Sequence, residues 1–155
     1  MSKAWTIAFS DGKKEEISFQ SKPYYFFQES ISSFEEPAAV YQFAINFHQT
    51  KSIFDYLGFT QQDISEMMEV DPSTLFRWRK EDRKLSKATT KSLFDMDQII
   101  ALGVRIFGSE ELFSEWLRSK NSSLGDRRPV DLLKNPYGIE QVESVLEGLS
   151  WGAVQ

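Results

Sequence analysis

Between Thr60 and Lys80 the chain carries two helix starts only eleven residues apart, and that spacing limits what the surrounding sequence can build. Thr60 and Asp63 make a short capping box ahead of the first helix. Asp71 caps the second, with Pro72 in its first position. Ile64, Met68, Val70, Leu75 and Trp78 fall where two short helices crossing steeply must bury side chains against each other, with the small Ser65 at closest approach. Residues 61–80 therefore read as a helix-turn-helix. The turn position usually held by Gly is Glu69, and a left-handed backbone there costs about 1 kcal/mol.

This arrangement sets Ser73, Arg77 and Lys80 on one outward stripe of the second helix, bordered by Thr74, because spacings of three and four return to the same face. Trp78, beside Leu75, has the inward phase and reads as core. A recognition helix enters the major groove by its N-terminal half, where an Arg grips guanine O6 and N7. Arg79, Arg83, Lys84 and Lys87 would then stand near phosphates. Charge supports this placement. Residues 71–91 hold seven cations against three carboxylates, a local balance of +4 inside a chain of net charge −5. The alternative for such a basic segment is a solvated helix face.

The flanking sequence is mostly helical in pattern. Residues 86–107 predict a long helix capped by Ser86 and stopped by Gly108, with Leu93, Met96, Ile100, Val104 and Phe107 at helical spacing. Ser109 caps a further helix that buries Leu112, Phe113, Trp116 and Leu117. After the loop NSSLGDRRP, Asn135-Pro136 opens a last helix whose Ile139, Val142, Val145, Leu146 and Leu149 form one stripe. Upstream, Pro37 begins a helix with Val40, Tyr41, Ala44, Ile45 and Phe47 on one side. Thr50 caps a shorter one carrying Ile53, Phe54 and Leu57, stopped by Gly58. The first twenty residues alternate instead, as a strand-turn-strand about Asp11-Gly12. A three-residue loop there pairs Trp5 with Phe19 and Ile7 with Ile17. A lone hairpin is marginal, so this one must lie on the helical body or on a second subunit.

Composition narrows the chemistry. The 155 residues include 13 Phe, 4 Trp and 5 Tyr, enough for a packed core, and no Cys. Disulfides, thiolate metal sites and thiol nucleophiles are excluded together. The one histidine, His48, has no second His or Cys beside which to form a metal site and reads as a structural or surface residue. Carboxylates such as Asp126, Asp131 and Glu140 stand without a nucleophile-base pair or a phosphate-cradling Gly loop, which argues against an enzyme. No cofactor is expected. No apolar run approaches a membrane span and the N-terminus lacks a secretory pattern, so the expected location is the cytoplasm.

From residue 60 to the end the chain resembles bacterial antitoxins of the MbcA/ParS/Xre group, which neutralise RES-domain and related toxins. The residues that carry the likeness are RKLS at 83–86, RIFGS at 105–109, FSEWLRSKNSSLGDRRPVDLL at 113–133 and VESVLEGLSWG at 142–152. Trp116, Leu117, Asn121, Leu124, Gly125, Pro129, Asp131 and Leu132 fall at the spacing of the group's toxin-binding domain. Several have folding reasons: Gly125 permits a tight turn, Pro129 starts a short helix, and Asp131 favours its positive end. The resemblance implies toxin contacts at the C-terminal tail, at Leu149, Trp151, Gly152 and Val154, with Arg127 and Arg128 of the loop. Trp151 stands where relatives often have a small or polar residue, and residues 1–36 have no counterpart in the group. The related toxins consume NAD, so the antitoxin's task is to cover that pocket.

The expectation is a mainly α protein with an N-terminal hairpin and aromatic segment (1–36), an Xre-like helix-turn-helix domain (37–106) and a C-terminal toxin-binding domain (107–155). It would act as a dimeric antitoxin that binds a RES-like toxin and its own operator DNA. The alternative is a stand-alone helix-turn-helix transcription regulator.

Overall fold

The computed structural model describes residues 4–8, 14–18, 24–27 and 43–152. Two strands, β1 (Ala4–Ala8) and β2 (Lys14–Ser18), pair antiparallel. Trp5 lies opposite Ile17 and Ile7 opposite Glu15, two positions from the expected register. Alternation has period two, so such a slip still matches odd residues with odd ones. Pattern alone cannot choose between the two registers. Phe19 and the turn lie outside the described residues.

Among the described residues seven α-helices follow: α1 (Lys51–Leu57), α2 (Gln61–Met68), α3 (Pro72–Lys80), α4 (Lys87–Phe107), α5 (Glu110–Arg118), α6 (Pro129–Leu132) and α7 (Pro136–Gly152). Their boundaries follow local chemistry. The Thr60 hydroxyl accepts from the Asp63 amide while the Asp63 carboxylate accepts from the Thr60 amide, completing the capping box. Asp71, Ser86 and Ser109 cap α3, α4 and α5 by the one-way half of that pattern, each side chain accepting the amide three residues on. Left-handed Gly58 and Gly108 end α1 and α4.

Two expectations at the start of the helical body need correction. Residues 37–42 lie outside the described residues, and Ala44 and Ile45 are not helical. The Ile45 carbonyl accepts from the Leu85 amide and the Phe47 amide donates to the Arg83 carbonyl, so this stretch runs extended beside residues 83–85. Tertiary pairing overrides the helical spacing read there. Phe47–Thr50 then form a 3₁₀ turn that leads into α1. Thr50 does not cap α1. Its backbone is already helical, and its buried hydroxyl donates to the Phe47 carbonyl at 2.6 Å.

One apolar cluster runs from Phe27 and Ile45 through Leu75, Leu93 and Ile100 to Phe113, Leu133 and Leu146. Helix α4 is its spine, packed on α5 and α7. Two of its contacts require glycine. A Cβ on Gly103 of α4 would lie 2.2 Å from the Phe113 ring, and one on Gly138 of α7 would lie 1.7 Å from the Leu132 carbonyl oxygen. Leu112, expected in the core, is 47% exposed, whereas Phe113 and Leu117 are fully buried. Helix α5 is short and presses only one face against α4, which leaves Leu112 on its rim.

The long helix also holds the N-terminal segment. Asp97 is buried midway along α4, and its carboxylate accepts the backbone amides of Tyr25, Phe26 and Phe27 at 2.8, 2.9 and 3.0 Å. Burial pushes this carboxyl above its ordinary range, while the three amides pull it down. Phe27 thereby packs against Phe94.

Candidate functional site

Helices α2 and α3 meet through Glu69, whose φ of 55° and ψ of 42° put it in the left-handed region, as its position at the turn predicts. Ile64, Ser65, Met68 and Leu75 are buried between and beneath the two helices, and Trp78 is half-buried with the ring turned inward. That packing leaves Ser73, Arg77 and Lys80 exposed on α3 and Thr74 half-exposed. The Ser73 hydroxyl donates to the Asp71 carboxylate at 2.7 Å, and the Thr74 amide donates to the same oxygen. These bonds hold the Asp71 carboxyl below its ordinary range.

The flanking cations are exposed too, but they are not all free-standing. The Arg83 guanidinium lies 5.0 Å from the centre of the Trp78 ring, and that of Arg79 lies 5.5 Å from the Phe47 ring. Lys84 and Lys87 are exposed beyond the end of α3. His48 belongs to this edge as a surface residue: its Nδ1 lies 2.7 Å from Asp82, and its amide donates to the same carboxylate. Sequence reasoning overlooked Phe76. Its ring is 68% exposed on α3, three residues after Ser73 and four before Lys80, a phase that was available from the helical spacing.

At the other end, α5, a 3₁₀ turn (Ser122–Leu124), α6 and α7 enclose a second site. Leu117, Leu124, Pro129 and Leu132 are buried, and Trp116 stacks on Phe113 with ring centres 5.8 Å apart. The Asn121 side chain accepts from the Ser123 amide, and Gly125 and Asp126 both take positive φ. Asp131 receives two hydrogen bonds from Arg128, at 2.8 and 2.9 Å, and Arg127 donates to the Leu124 carbonyl at 3.1 Å. The two arginines thus brace the loop that carries them. In α7, Ile139, Val142 and Leu146 are buried, and near its end Ser150 stays buried while Leu149 is 42% and Trp151 57% exposed. Val154 lies outside the described residues.

Residues 102–152 match the family model of the antitoxin Xre/MbcA/ParS C-terminal toxin-binding domain. These residues, a third of the chain, are similar to the toxin-binding domain of Xre/MbcA/ParS-type antitoxins. The match begins inside α4 and ends with α7, so it takes in the α4–α5–α7 packing as well as the loop around Gly125. No curated protein matches the chain. Of the positions that carry the likeness, Leu117, Leu124, Pro129 and Leu132 are buried in the packing and Gly125 takes a positive φ at the turn, whereas Leu149, Trp151 and Gly152 are presented outward. Among the described residues, no group of three His, Cys, Asp or Glu side chains is placed to hold a metal ion. Nor is any helix among the described residues long and apolar enough to cross a membrane.

The two sites share one body. Lys134, after α6, reaches both Asp63 and Glu66 of α2 at 2.6 and 3.4 Å. Arg118 of α5 donates to the Tyr56 carbonyl, and the Tyr56 hydroxyl donates to the Glu110 carbonyl at 2.7 Å. Sequence reasoning assigned none of these ties.

Proposed function

We propose that the protein is an antitoxin that neutralises an NAD-consuming toxin of the RES type and represses its own operon through a helix-turn-helix formed by α2 and α3, acting as a homodimer and by binding alone. The observation that carries the reading is the joining, through one core, of a region similar to a toxin-binding domain, with Leu149 and Trp151 exposed near the end of its last helix, to a two-helix unit whose exposed face carries Ser73, Arg77 and Lys80. Leu149 and Trp151 supply the apolar, aromatic anchor that protein interfaces favour. Arg77 and Lys80, with Arg83, Lys84 and Lys87 beyond them, supply the cations that phosphate and guanine require. One recognition helix reads only a few base pairs, so a two-fold dimer is needed to define an operator.

The test is coproduction of the chain with the toxin encoded beside it, scored by growth, cellular NAD and the mass of the copurified complex. Removing residues 149–155 should abolish protection while leaving DNA binding intact. Trp151→Ala and Leu149→Ala should each weaken the complex by about 2 kcal/mol if the side chain is a buried anchor. Full protection by the truncated chain would refute the tail contact and move the toxin surface to the loop between Asn121 and Leu133.

A further inference from the structure

The ring of Phe76 has no part in the core, and its surroundings are unlike those of a scattered surface aromatic. It projects from α3 at 68% exposure, with the Ser73 hydroxyl one turn before it, Lys80 one turn after it and Arg77 adjacent, all exposed. Its immediate neighbours in the chain, Leu75 and Arg77, point to opposite fates. Leu75 is buried at 1% exposure and fixes the rotation of the helix, so Phe76 cannot turn inward without pulling Leu75 out.

We infer that Phe76 is a specificity-determining residue that reads thymine, by packing its ring against the thymine C5-methyl group in the major groove. The inference rests on the DNA-binding reading given above. A cationic helix face attracts the phosphates of any duplex, but those contacts carry no base information. Within the major groove the thymine methyl is the apolar feature that sets A·T apart, and an apolar side chain held among phosphate-binding groups is the complement it needs. Arg77 grips a guanine edge with its guanidinium, and Phe76 rejects a polar edge at the neighbouring position. The pair therefore predicts a half-site in which guanine and thymine stand close together.

The experiment selects binding sites for the full chain from a random duplex pool, then replaces thymines in the selected site one at a time by deoxyuridine, which lacks only the methyl group. One replacement in each half-site should weaken wild-type binding about fourfold, the factor expected from losing one buried methyl contact. Phe76→Ala, verified as folded by its helical circular dichroism, should bind thymine and deoxyuridine sites alike. Arg77→Ala should bind more weakly overall yet keep the thymine preference. Indifference of the wild type to every replacement, or an unchanged preference in Phe76→Ala, overturns the thymine reading and leaves DNA binding standing. Phe76→Ala that keeps the preference but no longer captures toxin assigns the ring to a protein contact. If no sequence is enriched, the DNA-binding reading falls and this inference falls with it.

Discussion

Lys134 Nζ lies 2.6 Å from Asp63 Oδ1, so a side chain from the loop between α6 and α7 is bonded to the residue that completes the N-terminal cap of α2. Both partners are mostly shielded, with side-chain exposures of 22% and 24%. Hydrogen bonds from Lys134 and Thr60 hold the Asp63 carboxyl below its ordinary range against a desolvation that opposes them. For Lys134, bonding to Asp63 and Glu66 raises the ammonium against its own desolvation.

The pH dependence follows from those directions. Asp63's contribution is full above its unfolded pKa and is lost as pH falls through its lower folded value. Lys134's contribution is full below its unfolded pKa and is lost as pH rises through its higher folded value. Lys134→Met should cost about 1 kcal/mol at neutral pH and flatten the acid limb of the stability curve. Urea denaturation from pH 3 to pH 7 measures both. A variant as acid-sensitive as wild type would show that the bond adds nothing.

Gly103→Ala and Gly138→Ala should each destabilise the fold by about 2 to 3 kcal/mol, because the added carbon overlaps the Phe113 ring or the Leu132 carbonyl oxygen. Helix propensity alone predicts the opposite sign, a gain of about 1 kcal/mol per substitution. Thermal denaturation separates the two. Gly138→Ala should be the worse, since backbone cannot move aside as a ring can.

Asp97→Ala should leave the amides of Tyr25, Phe26 and Phe27 without their acceptor, at a cost of about 2 to 4 kcal/mol. Amide exchange at those three positions should rise before global unfolding does. The carboxyl's raised pKa makes its titration oppose that of Asp63. The stability it adds is full at pH values below the unfolded pKa and is lost as pH rises through the folded one. Subtracting the variant's stability curve from that of wild type isolates this slope.

Arg77→Ala should lower affinity for a selected DNA site by about 1 to 3 kcal/mol and relax base preference at one position. Lys84→Ala should weaken all duplexes equally and reduce the salt slope by about one unit. Titrations at several salt concentrations distinguish the two effects. If neither variant differs from wild type, the segment 71–91 is a solvated face.

Much of this architecture is written locally. Caps at Thr60, Asp71, Ser86 and Ser109 act within three residues, and glycine stops at Gly58 and Gly108 act within one turn. The left-handed Glu69 follows from the distance between two such signals. The stripe of Ile139, Val142 and Leu146 is likewise a matter of spacing along one helix. The signature around Gly125 was legible as a family likeness, and the burial of Leu117, Leu124 and Leu132 accords with the folding reasons given for it.

The remaining features depend on partners far away in sequence. Asp97 falls on the apolar stripe of its helix, four residues after Leu93 and three before Ile100, but the backbone of residues 25–27 that it accepts from lies some seventy positions away in the sequence. Ala44 and Ile45 fit a helical pattern, and only pairing with residues 83–85 makes their stretch extended. Leu112 and Phe113 are neighbours of equal apolarity, yet the angle at which α5 meets α4 buries one and exposes the other. Capping and periodicity are determined by the sequence itself because their energies act over one helical turn. The mating of surfaces, which decides Lys134 with Asp63 and Gly103 with Phe113, exists only once those turns are packed together.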